Sequence, residues 1–262
     1  MGVVNVTPDS FSDGGRYLDH DQAVKHAVRL LDQGADVIDI GGESTRPGAD
    51  PVPVDVELDR VLPVIERVLA VRPDALVSID TTKAVVAREA VARGAVIIND
   101  VSAGRWDPEM PTVVAQSGAG YVIMHARSEP KTMQENVVYA DVVGAVELFL
   151  QEQLQLWPSR GVCRNRLVLD PGIGFGKLVE HNLELIRAAD RLGRLGRPVL
   201  WGLSRKSFIG KLTGAPETER LPGTLAAHAW LLAKTSAPQI WRVHDVAETV
   251  QFLKLWDALR TG

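Results

Sequence analysis

The residues best placed to do chemistry stand at the ends of short apolar runs. The sharpest case is LVLDPGIGFGK, residues 167–177. Its first three residues read as a short buried strand, and Asp170 stands where that strand ends. Gly172, Gly174 and Gly176 then let the backbone turn tightly and approach a ligand, with Phe175 between them. A carboxylate at the C-terminal tip of a buried strand, over a glycine-rich loop, is where α/β proteins place ligand chemistry. The alternative for this stretch alone is a strand end capped by Asp-Pro with a glycine turn behind it. The design recurs, however. Asn5, the loop GGESTRPG at 41–48, Asp80, Asn99-Asp100, His125, Ser204-Arg-Lys206 and Arg242 with His244 each follow an apolar run. One such residue is usually a cap or turn former; eight in register need another explanation.

These groups sort by chemistry. Asp80, Asn99, Asp170 and Lys206 supply two carboxylates, an amide and an ammonium. Such a set can read a flat heterocycle that presents both donors and acceptors. Asn5, Arg242 and His244 form a second cluster. Arg and His suit a phosphate or diphosphate, and an amide oxygen suits Mg2+, which keeps most of its waters. A structural ion pair between Asp80 and Lys206, and a helix cap at His244, are the alternatives. Arg46, between Thr45 and Pro47, is placed to reach a carboxylate or phosphate, or is simply an exposed loop arginine. Other chemistries lack their signatures. There is no H-E-x-x-H and no Cys/His ligand spacing, so a zinc site is not expected. The serine at 204 lacks the G-x-S-x-G elbow. The glycines at 172–176 spell G-x-G-x-G and not the dinucleotide fingerprint, and Lys177 is followed by Leu178, so no Walker A motif exists.

What must position these residues is an alternation of strands and helices. Apolar, β-branched runs fall at 2–5, 37–40, 75–79, 96–98, 121–124, 167–169, 198–202 and 240–243. Amphipathic stretches lie between them at 21–33, 54–71, 82–93, 138–157, 181–195, 224–234 and 246–259. Several close on a glycine suited to a left-handed cap, at Gly34, Gly94 and Gly161. Pro108, after Asp107, suits the first turn of a shorter helix. Eight strand–helix units with near-continuous apolar strands predict an α/β fold, a parallel (β/α)8 barrel, as one domain over 1–262. A doubly wound open sheet, the rival, uses fewer strands and a fingerprint absent here. The loops after the first two strands, rich in Ser, Thr, Gly, Pro and Asp, are expected to close over the site. Trp157, Trp230 and Trp256 sit in helical patterns and are expected to pack; Trp106 falls in a loop.

Composition sets the outer limits. The chain has 262 residues, 45% hydrophobic content and a net charge of -4, so nothing suggests a nucleic-acid groove or an anionic membrane surface. No apolar run approaches the roughly 20 residues of a membrane span. The lone Cys163 excludes an internal disulfide and fits a reducing compartment. The expectation is a cytoplasmic protein. The chain opens almost directly on a strand, so little N-terminal cover is expected over the barrel bottom.

At this point the residues resemble a family, the dihydropteroate synthases among the pterin-binding enzymes. The likeness runs through NVTPDSFSDGG (5–15), GGESTRPG (41–48), SIDT (78–81), INDV (98–101), DPGIGFGK (170–177), GLSRKS (202–207) and RVHD (242–245), in that order. The resemblance implies a TIM barrel, a homodimer, and a transferase of folate biosynthesis. That reaction joins 4-aminobenzoate to 6-hydroxymethyl-7,8-dihydropterin diphosphate. It implies that Asp80, Asn99, Asp170 and Lys206 hold the pterin, that Met124 and Phe175 line its pocket beside Gly202, and that Thr45 contacts it. It implies Mg2+ on Asn5, diphosphate on Asn5, Arg242 and His244, and a 4-aminobenzoate site shaped by Arg46, Ser204 and the two long loops. Asp80, Lys206 and Asp170 are the implied catalytic residues, and sulfonamides the implied inhibitors. Two features depart from the pattern. The fifth strand continues as Ala126-Arg-Ser-Glu-Pro130, which adds charge at the mouth. Trp201 and Trp241 replace aliphatic residues and are expected only to repack the outer layer. A pterin-dependent methyltransferase on the same barrel would lack the 7–15 and 204–206 motifs. A non-catalytic binder would show damage at Asn5, Asp80 or Lys206, and all three are intact.

Overall fold

In this computed structural model eight parallel strands alternate with helices along the chain. Residues 1–7, 16–45, 48–128, 131–133 and 137–260 are described, with side chains from residue 20 onward in the first helix. The strands are β1 (Gly2–Asn5), β2 (Val37–Gly41), β3 (Leu76–Asp80), β4 (Ile97–Asp100), β5 (Gly120–Met124), β6 (Leu167–Asp170), β7 (Val199–Trp201) and β8 (Gln239–Trp241). They pair in chain order from β1 to β8. The end of β8 curls back to β1: Gly2 forms a parallel bridge with Val243, Val3 N–H donates to Val243 O at 3.0 Å, and Val243 N–H donates to Met1 O at 2.9 Å. All eight expected strands are present, displaced by a residue or two.

Between them lie α1 (Arg16–Asp32), α2 (Val54–Val71), α3 (Ala84–Ala92), α4 (Met110–Ser117), α5 (Val142–Ser159), α6 (Val179–Arg187), α7 (Ala189–Gly193), α8 (Ser207–Thr213), α9 (Leu221–Lys234) and α10 (Val246–Arg260). The expected helix at 181–195 is two helices, because the chain breaks at Ala188. The seven-residue α8 was not legible in the sequence. The turn around Asp107 also differs: α4 starts at Met110 with Pro111 in its first turn, while Asp107 Oδ2 accepts Ala84 N–H at 2.7 Å and so caps α3. Gly34, Gly94 and Gly161 take φ of 100°, 104° and 85°, as left-handed caps require.

The two-residue period of a strand sorts its side chains onto two faces. On the outer face Ile38, Ile40, Ile79, Ile98, Ile123 and Leu169 are buried against the helices. Each full burial of this kind contributes about 1.5–3 kcal/mol. On the inner face Val122, Leu200, Val37, Ile97, Val168 and Ile240 form a separate apolar layer with Met1. Two residues further along β2, β4 and β6 the same face carries Asp39, Asn99 and Asp170. A dry inner floor therefore lies beneath a polar layer at the C-terminal ends of the strands. Trp201 and Trp241 lie in the outer core, as expected; Trp241 stacks on His228 at 4.1 Å between ring centroids. Trp230 does not pack: it is 43% exposed, with Lys234 Nζ over its ring at 4.6 Å. Among the described residues no helix is long and apolar enough to cross a membrane.

Candidate active site

A cleft opens at the C-terminal ends of the strands, and the register brings its residues there together. Gly41 pairs with Asp80, Asp80 with Asn99, and Met124 with Asp170. Asp80, Asn99, Met124 and Asp170 line the cleft from β3, β4, β5 and β6. Phe175, Gly202, Ser204 and Lys206 line it from the loops after β6 and β7. Arg242 and His244 line it from the segment after β8, and Thr45 from the loop after β2. Residues 8–15, Arg46, Glu129 and Pro130, which the sequence reading placed at the mouth, lie outside the described residues. Asn5 is not in this cleft but in a groove beside it that shares His244. Two strand-tip residues turn the other way. Asp100 faces outward and accepts Ser102 N–H, Gly104 N–H and Tyr121 Oη–H at 2.7–2.8 Å. The His125 ring packs edge-on against Phe149, 5.1 Å between centroids.

The glycine loop after β6 is fastened by a residue not singled out from the sequence. Lys177 is 4% exposed, and its Nζ donates to Gly172 O at 2.9 Å, Phe175 O at 3.0 Å and His125 O at 3.1 Å. Burial, with Lys206 and Arg105 nearby and only Asp170 opposing, lowers its pKa to about 7. The His125 ring lies at 3.1 Å and stays neutral, its pKa pushed by burial to about 3. This clamp needs glycine at 172, where φ is 67° and a Cβ would stand 2.0 Å from His125 O. It holds Phe175 under Lys206, whose Nζ lies 4.4 Å from the ring centroid. Each buried carbonyl that loses its donor costs about 1–3 kcal/mol. Lys177→Met is therefore expected to lower stability by about 2–4 kcal/mol. Urea unfolding would show it, and an unchanged midpoint would mean the loop holds without the ammonium.

The polar layer is one network and not the two separate clusters inferred from the sequence. Arg242 Nε donates to Asp39 Oδ2 at 2.6 Å and Arg242 Nη2 to Asp80 Oδ2 at 2.7 Å. Asn99 Nδ2 donates to the same Asp39 oxygen at 2.9 Å. Asp80 thus pairs with Arg242 and not with Lys206. Burial lifts the Asp80 carboxyl to about 7, with Arg242 pulling it down and Asp39 pushing it up. Burial lifts Asp170 to about 6, against Gly172 N–H, Lys206 and Lys177. Asp39 was missed in the sequence reading. Its signal was an acid inside the apolar run Val37-Ile-Asp-Ile, on the inner face by parity.

His244 is not the cap of α10. Ser204 Oγ accepts its backbone N–H at 3.2 Å and lies 3.0 Å from its Nδ1. Burial, aided by Arg242 and Arg205, lowers the His244 pKa to about 4, so the ring is neutral. Behind Thr45, the base of the loop after β2 is tied down: Lys83 Nζ bridges Glu43 at 2.6 Å and Glu57 at 2.5 Å, and Arg60 donates to Gly42 O at 2.7 Å. As a metal donor Asn5 offers one neutral oxygen, and no group of three metal-ligating side chains exists among the described residues. That set fits a Mg2+ carried mainly by substrate phosphates, not a protein-caged ion.

The arrangement offers a polar cleft with Phe175, two carboxylates and an amide on its walls and the cations Lys206 and Arg242 beside them. The chain as a whole is similar to known proteins. Residues 1–244 match the pterin binding enzyme family. The dihydropteroate synthase of Synechocystis sp. is 45% identical over 99% of this chain and 89% of its own length. The Xanthomonas albilineans dihydropteroate synthase, solved with 4-aminobenzoic acid, superposes with a TM-score of 0.92 at 46% identity, covering 100% of this chain and 93% of that one. The Yersinia pestis dihydropteroate synthase, solved with a sulfonamide drug complex, gives a TM-score of 0.92 at 42% identity, covering 100% and 94%. The chain belongs to the dihydropteroate synthases, transferases of folate biosynthesis within the pterin-binding enzyme family.

Proposed function

We propose that this cleft joins 4-aminobenzoate to 6-hydroxymethyl-7,8-dihydropterin diphosphate, giving 7,8-dihydropteroate and diphosphate. The observation that carries the reading is the meeting of Asp80, Asn99, Asp170, Lys206 and Phe175 with Arg242 and His244 at one mouth. The acceptors suit the amino and ring N–H groups of a pterin, and the Lys206 ammonium suits its carbonyl and ring nitrogen. Met124 supplies an apolar wall, and Thr45 and Gly202 border the same space. The Arg242 guanidinium and the single N–H of the neutral His244 ring suit diphosphate oxygens. Asn5 and Ser204 complete the diphosphate and 4-aminobenzoate ends.

The reaction is a dissociative displacement. The bond between the methylene carbon and the diphosphate oxygen breaks first, and Arg242 and His244 meet the charge growing on that oxygen. Asn5 would hold Mg2+ alongside them, and the ion, when bound, neutralises charge on the leaving diphosphate. The cation left on the methylene is conjugated with the ring, where ionised Asp80 stabilises it and Asp170 supports the electron-rich ring. The arylamine then forms the new C–N bond and releases its proton to solvent. A neutral arylamine is nucleophilic at pH 7, so this step needs no strong base.

Acid should switch the site off in the range set by burial. A carboxyl with a raised pKa stays protonated up to that pH, and a protonated carboxyl cannot accept two N–H groups or stabilise a cation. With Asp80 near 7 and Asp170 near 6, kcat/KM should fall as pH drops through that window. A profile flat down to about pH 5 would contradict it. For the second substrate, sulfonamides should raise the KM for 4-aminobenzoate and leave kcat unchanged, as for two ligands sharing one pocket. Inhibition that excess 4-aminobenzoate does not relieve would remove the assignment of that pocket.

We further read the sheet as a closed (β/α)8 barrel, supported by the Gly2–Val243 bridge, and residues 1–262 as one pterin-binding unit. We read it also as a homodimer, as the resemblance implies, acting in the reducing compartment that the lone Cys163 fits.

A further inference from the structure

Asp39 is fully buried and does not line the cleft, yet it joins residues from both of its halves. Its Oδ2 accepts Asn99 Nδ2 at 2.9 Å and Arg242 Nε at 2.6 Å, while its Oδ1 has no partner. A carboxylate paired with a guanidinium can only accept hydrogen bonds. The Asn99 amide must therefore turn its NH2 toward Asp39, which leaves its oxygen for the cleft. The Arg242 side chain, held at Nε, keeps its terminal nitrogens free to serve Asp80 or a ligand anion.

We propose that Asp39 is the positioning residue that fixes Asn99 as a hydrogen-bond acceptor toward the pterin ring and anchors Arg242 for the diphosphate. It makes the polarity of the ring pocket uniform: Asp80, Asp170 and Asn99 all present acceptors, the complement of an aminopyrimidinone's N–H edge. It also gives Arg242 a pivot. Nη2 rests on Asp80; when diphosphate arrives, Nη2 turns to it while Nε stays on Asp39, and Asp80 is released to the ring. The inference rests on the reading of the cleft as a pterin diphosphate site.

Two probes separate the halves: 6-hydroxymethylpterin, which lacks the diphosphate, and inorganic diphosphate. Both should bind the wild-type chain in calorimetry; if neither does, the functional reading fails and not the role of Asp39. Asp39→Asn removes the obligate acceptor at nearly constant shape. It should weaken each probe by about 10-fold or more, since Asn99 can then flip and Arg242 loses its charged anchor. The exchanged pair Asp39→Asn with Asn99→Asp restores a donor facing an acceptor and again points an acceptor into the cleft. That double variant should recover pterin binding to within about threefold of wild type but leave diphosphate binding weak. A stability role alone would shift the melting temperature of Asp39→Asn without moving either affinity, and that result overturns the proposal. A double variant no better than the single one overturns the Asn99 half. Failure of both variants to fold would assign Asp39 to stability and overturn it as well.

Discussion

Lys206→Ala is expected to abolish turnover, lowering kcat/KM by about 1,000-fold or more. Lys206 precedes α8, and its Nζ sits over the Phe175 face at 4.4 Å. Its charge is one of those holding the buried Asp170 carboxyl down. Removing it takes away the cation facing the ring carbonyl and the partner that favours ionised Asp170. Both losses strike the same bound ring, so binding of the pterin diphosphate should weaken together with the chemical step. Lys206 lines an open cleft, so the melting temperature should change little. Steady-state kinetics with a thermal melt checks this. Near-normal kcat/KM would remove Lys206 from the site, and a collapse of stability would make it a structural residue.

Arg242→Gln should have the largest effect on stability of any single change in the cleft, about 3–5 kcal/mol. The guanidinium stands between Asp39 and Asp80, both buried, and without it two carboxylates face each other with no counter-charge. The pH dependence carries a sign. Loss of the cation lifts the Asp80 pKa further above its unfolded value, so the folded variant binds a proton that the unfolded chain does not. Its deficit relative to wild type should therefore shrink as pH falls toward 7 from above, where the variant's carboxyl takes up its proton first, and level off below 7, where the wild-type carboxyl is protonated too. Denaturant titrations of both proteins at a series of pH values measure it. A deficit constant with pH would mean that Asp39 and Asp80 are screened some other way. Diphosphate affinity should fall as well, because Arg242 lines the cleft together with the neutral His244.

Much of the site was legible because the barrel converts one-dimensional spacing into geometry. Once eight apolar runs are aligned, Asp80, Asn99, Asp170, Lys206 and Arg242 fall at equivalent strand ends and must meet. What the sequence did not reveal depends on which way a side chain turns. Asp100 and His125 also stand at strand ends, but parity sends them outward, where Asp100 caps a turn and His125 abuts Lys177. Asp39 lies two residues deeper than the tips, on the same face, and reads as an anomaly in an apolar strand until the register is known. Lys177 follows a glycine loop and looks like a surface lysine. Only the packing of the loop onto the end of β5 buries it and gives its three N–H groups carbonyl partners. Helix α8 escaped notice because seven residues are too few to show a period. Arg242 was assigned to diphosphate alone, since nothing local shows that it also bridges two acids on β2 and β3.

The most direct test of the account is diphosphate release by the purified chain, with Mg2+ and 6-hydroxymethyl-7,8-dihydropterin diphosphate, in the presence and absence of 4-aminobenzoate. The account predicts that release becomes sustained when 4-aminobenzoate is added and matches 7,8-dihydropteroate formed, one for one. Tight binding of the pterin substrate with no diphosphate released under either condition would contradict it, leaving a cleft that holds a pterin without performing the transfer.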